Sequence, residues 1–316
     1  MKKQLMVISL VLALCITFSC QKGEELADEP VVDVEAEAEG IKPLNVKDAL
    51  FTYSAEGIGI PCVVFVGGEK VGQNIYSSEL RKHIKFIHAE SSGISEEDVK
   101  SITLDAIIDD IEKVRITLGI EKVAVMGHSR FSLIPPAYGI KYPEHASHLI
   151  VTGGMPSISE KSDKASNEYW EKEASEERKE LFRRNTEALT EEVMSKLSPS
   201  DAFIKMYTAW TPFLFYDTEY DMTGLWEGVE LDADFNDYYL EMVHGIDNTD
   251  KYHLIKAPVI VFSGRYDFWA PYYLWDEVKG LIPDYTFVLF DNAGHNPMLE
   301  IPEEFDKKLI DWIENH

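Results

Sequence analysis

Apolar residues fall along this chain in two alternating patterns. Short runs rich in Val, Ile and Phe recur at 61–66, 85–89, 122–126, 148–152, 258–263 and 285–290, each bounded by Gly, Pro or charged residues. Such runs suit strands buried on both faces. A further strand is expected at 46–53, followed by a turn at 57–60 and a glycine loop at Gly67-Gly68. Between the runs lie helical patterns. Ile107, Ile111, Val114 and Leu118 share one face of 103–118, with Thr103 placed to cap it and Gly119 to stop it. Pro302 opens a terminal helix whose Phe305, Leu309, Trp312 and Ile313 share a face, and further helices are expected at 76–83 and 272–281. Strand and helix in alternation predict an α/β fold, a mostly parallel central sheet flanked by helices. No internal repeat of fixed period interrupts it.

The alternation stops between 156 and 250. Residues 156–200 are highly charged with helical propensity, and Ser175 is placed to cap a helix beginning Glu176-Glu177. Aromatic residues then accumulate over 203–239, among them Tyr207, Trp210, Phe213, Phe215, Tyr216, Tyr220, Trp226, Phe235, Tyr238 and Tyr239. The segment is expected to be a helical cap or lid on a core formed by 46–155 and 251–316. Most of its rings would pack it down, and a minority would line an apolar pocket.

Candidate chemistry lies where strands end. Ser129 follows the run 122–126 in Gly127-His128-Ser129, on the turn into a segment readable as helix to Tyr142. Asp267 follows 258–263, and His295 follows 285–290 with Gly294 permitting a tight turn. Alone, each has an ordinary structural role: a turn serine, an Asx-turn before Pro271, a histidine bonded to a carbonyl. Together, in the order Ser, Asp, His at one sheet edge, they form a nucleophile, an orienting acid and a general base. Asp291 is the alternative acid, closer to His295 in sequence but on the same strand.

These residues carry a resemblance. Gly127-His-Ser129, Lys141-Tyr-Pro-Glu-His145, Ser263-Gly-Arg-Tyr-Asp267, Ala293-Gly-His-Asn-Pro297 and Glu300-Ile-Pro-Glu-Glu-Phe305 resemble the α/β-hydrolase superfamily, most closely its proline-iminopeptidase-like branch. The resemblance spans about 46–316, apart from the lid. It implies an oxyanion hole made by the amide of Arg130 and one from Val66-Gly67-Gly68-Glu69, with Gly68 first and Gly67 next. There are departures from the pattern. Phe131 stands where the elbow usually has glycine, Pro135 and Pro136 fall in the first turns of the following helix, and the oxyanion loop lacks its histidine. The acid that grips a substrate amine commonly follows the triad aspartate, and here that place is Phe268, followed by Trp269. Glu219 and Asp221 of the lid are the substitutes available. Phe131, Phe268, Trp269 and Trp210 are therefore the candidate lining of an apolar substrate pocket.

Composition narrows the setting. A formal charge of −26 repels nucleic acid and anionic lipid headgroups. At the N-terminus, Lys2-Lys3, an apolar run 5–16 and Ser19-Cys20 resemble a bacterial lipoprotein signal spanning 1–19, with Cys20 as the acylated residue. The acidic stretch from Gln21 onward reads as a disordered tether, so that 20–45 would link lipid to domain. Acidic residues so close behind the cysteine also resemble a surface-export signal of some Gram-negative lipoproteins. Cys15 would leave with the signal, and Cys62, within an apolar run, is expected to be a small core residue. The sequence thus points to a cell-envelope, lipid-anchored serine hydrolase of a small ester or amide. Such chemistry requires no metal or organic cofactor and implies no protein partner. The alternatives are a prolyl-type aminopeptidase and a catalytically silent binding protein on the same fold.

Overall fold

Alternate residues of the central strands face opposite ways, and both directions are apolar, so both faces of the sheet must be covered. In this computed structural model, which describes residues 41–91 and 94–316, eight strands form one sheet. They are β1 (Lys42–Leu44), β2 (Thr52–Glu56), β3 (Ile60–Phe65), β4 (Ile84–Glu90), β5 (Val123–His128), β6 (Ala146–Thr152), β7 (Val259–Gly264) and β8 (Tyr285–Phe290). Their order is β1-β2-β4-β3-β5-β6-β7-β8, antiparallel at the β1 and β2 edge and parallel from β4 onward.

The period-two pattern divides the core between the faces. Val63, Phe65, Val123 and Val125 point to one side, Cys62, Val64, Ala124 and Met126 to the other, all buried. The principal helices are α1 (Glu69–Ile75), α2 (Leu104–Thr117), α3 (Ile134–Lys141), α4 (Glu160–Glu173), α5 (Glu176–Glu187), α6 (Pro199–Ala209), α7 (Ala233–Val243) and α8 (Pro302–Asn315). Helix α2 covers the first side with Ile107, Ile111 and Val114, joined by Ile134 and Tyr138 of α3. On the second side α1 contributes Val71 and Ile75, and α8 contributes Phe305, Leu309 and Trp312. Thr103 caps α2 by accepting the Ala106 amide, and Ser175 caps α5 by accepting that of Arg178. Between β6 and β7 run α4 to α7 with shorter turns, and their side chains enter both cores. Cys62 is fully buried, and burial pushes its thiol pKa up.

Local contacts shift several expected elements. The strand expected at 46–53 begins only at Thr52, because the buried Asp110 carboxylate of α2 accepts the amides of Leu50 and Phe51 and the Tyr53 hydroxyl. Residues 42–44, expected within the tether, instead pair with β2 as an edge strand. The helix expected at 76–83 is reduced to its last four residues. Helix α1 starts earlier, directly from the glycine loop, and the turn Leu80–His83 follows with the Ser77 hydroxyl accepting the Leu80 amide. The expected 272–281 helix is a 3-10 turn over Tyr272–Glu277. The signal segment, Cys20 and the tether as far as residue 40 lie outside the described residues.

Asp110 is the side chain that fixes how the chain enters the sheet. Asp110→Ala would leave two backbone N–H groups and a buried hydroxyl without their acceptor. The expected cost is about 3 kcal/mol of unfolding free energy by urea denaturation, and a loss below about 1 kcal/mol would refute this role.

Candidate active site

Strand β5 delivers Ser129 in a backbone conformation that side chains rarely adopt, φ 59°. The close approach that follows is absorbed by small residues on either side. A Cβ on Gly127 would stand 2.3 Å from the Phe131 carbonyl oxygen, and one on Gly154 would stand 2.2 Å from the Ser132 Cβ. Ser132 also exchanges hydrogen bonds with the Met155 backbone, donating at 3.0 Å and accepting at 3.3 Å. The segment after the serine is therefore not one helix. Ser129–Leu133 is a 3-10 turn, and α3 starts late at Ile134, so Pro135 and Pro136 occupy a first turn where no N–H is needed. Phe131 is buried and turns its ring between Phe65 of β3, 6.2 Å away, and Tyr239 of α7, 4.7 Å away.

Asp267 and His295 meet Ser129 from the neighbouring strands. His295 Nδ1 lies 2.8 Å from Asp267 Oδ2, and its Nε2 lies 2.8 Å from Ser129 Oγ. A carboxylate only accepts, so Nδ1 donates to it and Nε2 is left to accept the serine hydroxyl proton. The other carboxylate oxygen accepts the amides of Trp269 at 3.1 Å and Ala270 at 2.9 Å, which fixes its orientation. Both side chains are buried. The alternative acid, Asp291, is instead paired with Arg265 at the exposed edge. His128, 4.9 Å from His295 between ring centroids, has its pKa lowered by burial and by that neighbour, and bonds to Thr152 through Nδ1.

A cavity of about 50 Å³ opens at Ser129. It has room for a few water molecules and is partly open to solvent. Val66, Gly67, Val71 and Ile75 line it from the core, His128 to Phe131 from the elbow, and Phe203, Tyr207, Leu225, Trp226, Leu231 and Asn236 from the insertion, with Asn296 completing it. Of the expected pocket residues, Phe131 lies here. Phe268, Trp269 and Trp210 do not. Phe268 is buried among Tyr169, Trp170 and Phe213, Trp210 packs on Phe213, and Trp269 meets the His295 ring edge-on at 5.3 Å. These aromatic contacts outweigh any projection toward the cavity. Phe203, Tyr207 and Trp226 of the insertion supply the rings instead. Gly67 lines the cavity, whereas Gly68, at φ 114°, backs onto the Glu90 carboxylate and caps α1. Glu219 and Asp221, the lid acids, are exposed and away from it.

Two charged residues not anticipated from sequence hold this arrangement. The buried guanidinium of Arg178 donates to the carbonyls of Pro212, Phe215 and Tyr216. The segment so fixed meets the histidine loop, where the His295 amide donates to Leu214 O at 2.6 Å and a Cβ on Gly294 would stand 2.2 Å from that same oxygen. Glu300 accepts the amides of Gly294 at 2.8 Å, Asn296 at 3.2 Å and Tyr216 at 2.7 Å, joining loop and insertion. Burial raises its pKa from the ordinary 4.5 to about 7. The folded state therefore keeps a proton that the unfolded chain has lost. Its contribution to stability is present below pH 4.5 and is lost as pH rises to about 7. Glu300→Gln removes this titration, so wild-type stability should fall relative to the variant as pH rises from roughly 5 to 8. Urea denaturation at the two pH values reads the difference, and a pH-independent difference would contradict it.

Comparison with known proteins agrees with this architecture. The profile described as the alpha/beta hydrolase fold matches residues 87–302. The AB hydrolase superfamily protein YclE of Bacillus subtilis is 30% identical over 268 residues, covering 83% of this chain and 94% of that protein. The proline iminopeptidase PfmaB of Pestalotiopsis fici is 26% identical over 219 residues, 68% of this chain and 76% of that one. Among solved structures, an esterase of Exiguobacterium antarcticum superposes with a TM-score of 0.63 at 17% identity, over 86% of this chain and 99% of its own. Matched over two thirds of its length by that family profile, this chain belongs to the α/β-hydrolase fold family.

Proposed function

We propose that the protein is a serine hydrolase that cleaves a small carboxylic ester or amide through an acyl-enzyme. The observation that carries this is His295, which bridges Ser129 and Asp267 at 2.8 Å on each side while the serine is held at φ 59°. Ser129 Oγ attacks the carbonyl carbon as its proton passes to His295 Nε2, and Asp267 stabilises the imidazolium. The proton then goes to the departing alcohol or amine. Water, deprotonated by the same nitrogen, attacks the acyl-enzyme and returns the serine. Charge on the carbonyl oxygen is met by the Arg130 amide, in the first turn of the 3-10 helix where it has no intrahelical acceptor, and by an amide of the glycine loop, Gly68 first, since its N–H belongs to the peptide leaving the cavity-lining Gly67, and Gly67 next. This route needs neither metal nor organic cofactor. Helices of the insertion act as the lid.

The cavity lining supports an ester or neutral amide over a prolyl-type aminopeptidase. An ammonium substrate needs a carboxylate, and no carboxylate is among the residues lining the cavity, where the one charged side chain is Arg130. A fluorophosphonate probe should label the wild type and not Ser129→Ala, and unlabelled folded wild type would favour a silent binding protein. Asp267→Asn should lower kcat by roughly 10⁴-fold with little change in KM. In a panel of aryl esters beside proline aryl amides, the esters should turn over faster, and the reverse order would restore the aminopeptidase.

We place the protein in the cell envelope, held by acylated Cys20 through the acidic 20–45 segment, on the motif at its N-terminus. Cys20→Ala should move it from the membrane fraction to the soluble one. Unchanged retention would rule out that anchor.

A further inference from the structure

The elbow presents a cation to the cavity that the hydrolytic reaction does not use. Arg130 follows the nucleophile, and its guanidinium lies among groups that line the same cavity: Nη1 donates to the Asn236 carbonyl at 3.2 Å, and the carbon of the guanidinium sits 5.2 Å over the Phe203 ring. A guanidinium carries five N–H donors. One hydrogen bond is made, and no carboxylate stands within ion-pair distance among the described residues. Asp237 and the hydroxyls of Tyr207 and Tyr239 act on it from farther away, and Asp237 is itself pushed toward its neutral form by burial. Withdrawal from solvent lowers the arginine pKa, yet an arginine keeps its proton in any ordinary pH range. The Tyr239 hydroxyl, buried behind the cavity wall, has no hydrogen-bond partner among the described residues.

The guanidinium is half-buried at the cavity wall, with one N–H bonded to protein and the others left to water or to a ligand. A ligand anion that displaced that water would gain a charge-assisted pair in a site partly withdrawn from solvent. We propose that Arg130 is a specificity-determining residue that takes a carboxylate of the substrate, so that the preferred ester or amide carries an anion within a few carbons of the bond cleaved. The planar fork of the guanidinium matches a carboxylate in two parallel hydrogen bonds. It lies one residue from the nucleophile, so the anion and the scissile carbonyl are held together. This inference deepens the serine-hydrolase reading and rests on it for the position of the scissile bond.

The test compares charged and neutral esters of like size. On the acyl side the pair is 4-nitrophenyl hemiglutarate and 4-nitrophenyl hexanoate. On the leaving side it is 4-acetoxybenzoate and its methyl ester. For at least one pair, wild type should favour the anion in kcat/KM, and Arg130→Met should lower the anion-to-neutral ratio by about tenfold or more. Arg130→Lys should recover part of it. Using the ratio cancels any loss of fold or of oxyanion geometry common to both esters. A ratio that Arg130→Met leaves unchanged for both pairs would overturn the proposal. Glutarate binding by titration calorimetry, with glutaramide as the neutral control, reads the same contact without turnover. If no ester is cleaved, the hydrolase reading fails, and this contact is judged by whether glutarate binds and loses its binding in Arg130→Met. Equal binding of glutarate to both forms, or none to wild type, would refute it.

Discussion

His295 is held from every side, and the rest of the structure is arranged around that restraint. Its backbone amide donates to Leu214 of the insertion, its Nδ1 to Asp267 after β7, and its Nε2 faces Ser129 after β5. Its carbonyl leaves no room for a side chain at position 153, after β6, where a Cβ would stand 2.3 Å away. One residue thus reads the relative placement of three parallel strands and of the segment inserted between two of them. The parallel sheet makes this possible, because all its strands end at the same edge. A shift in any one of them would be felt at the imidazole.

The insertion is coupled to the chemistry through the same loop. Arg178 gathers the carbonyls of 212–216, and Glu300 returns from beyond the histidine to take the Tyr216 amide. Covering segment and catalytic loop therefore share hydrogen bonds, and opening the cavity at one end perturbs the general base at the other. With about 50 Å³ free beside Ser129, the fit of a substrate depends on the side chains this cover contributes. The stable part of the cover is the portion joined to Glu300. The portion carrying Phe203 and Trp226 is tied differently, by Asn74 of α1 donating to the carbonyls of Leu225 and Glu227 and by Tyr207 pairing with Asn296.

Much of this was legible in the sequence because it follows from periodicity and from strand ends. The apolar runs 61–66, 122–126 and 258–263 mark strands β3, β5 and β7 to within about two residues, and the three residues at strand ends come together in space. What was not legible depends on contacts between distant residues. Asp110 reads as one more polar position on a helix, and only the fold shows it taking two amides some sixty residues away. Likewise Phe268 and Trp210, as aromatic as Phe203 and Tyr207, are consumed in packing among rings. Composition could not separate the two sets, since all four are aromatic residues in or beside the same insertion. Sequence did register the odd elbow. It could not say that Ser132 and Gly154 would take over the close approach, leaving Phe131 free to point elsewhere.

That substitution explains how Phe131 and Arg130 come to do opposite things from adjacent positions. In a 3-10 turn successive side chains leave at about 120° from one another. With Phe131 directed into the aromatic contacts of Phe65 and Tyr239, its neighbour is turned toward Phe203 and Asn236 of the cover. The bulky residue that first marks the elbow as unusual thus packs the turn onto the core, while the guanidinium beside it is held by Asn236 and Phe203. The same ring ties the turn to α7, which contains Asn236, and α7 is itself fixed by its Asp232 cap and by the Tyr238 hydroxyl donating to the carbonyls of Lys100 and Ile102, so the cation and its one hydrogen-bond acceptor are coupled through the packing of that helix.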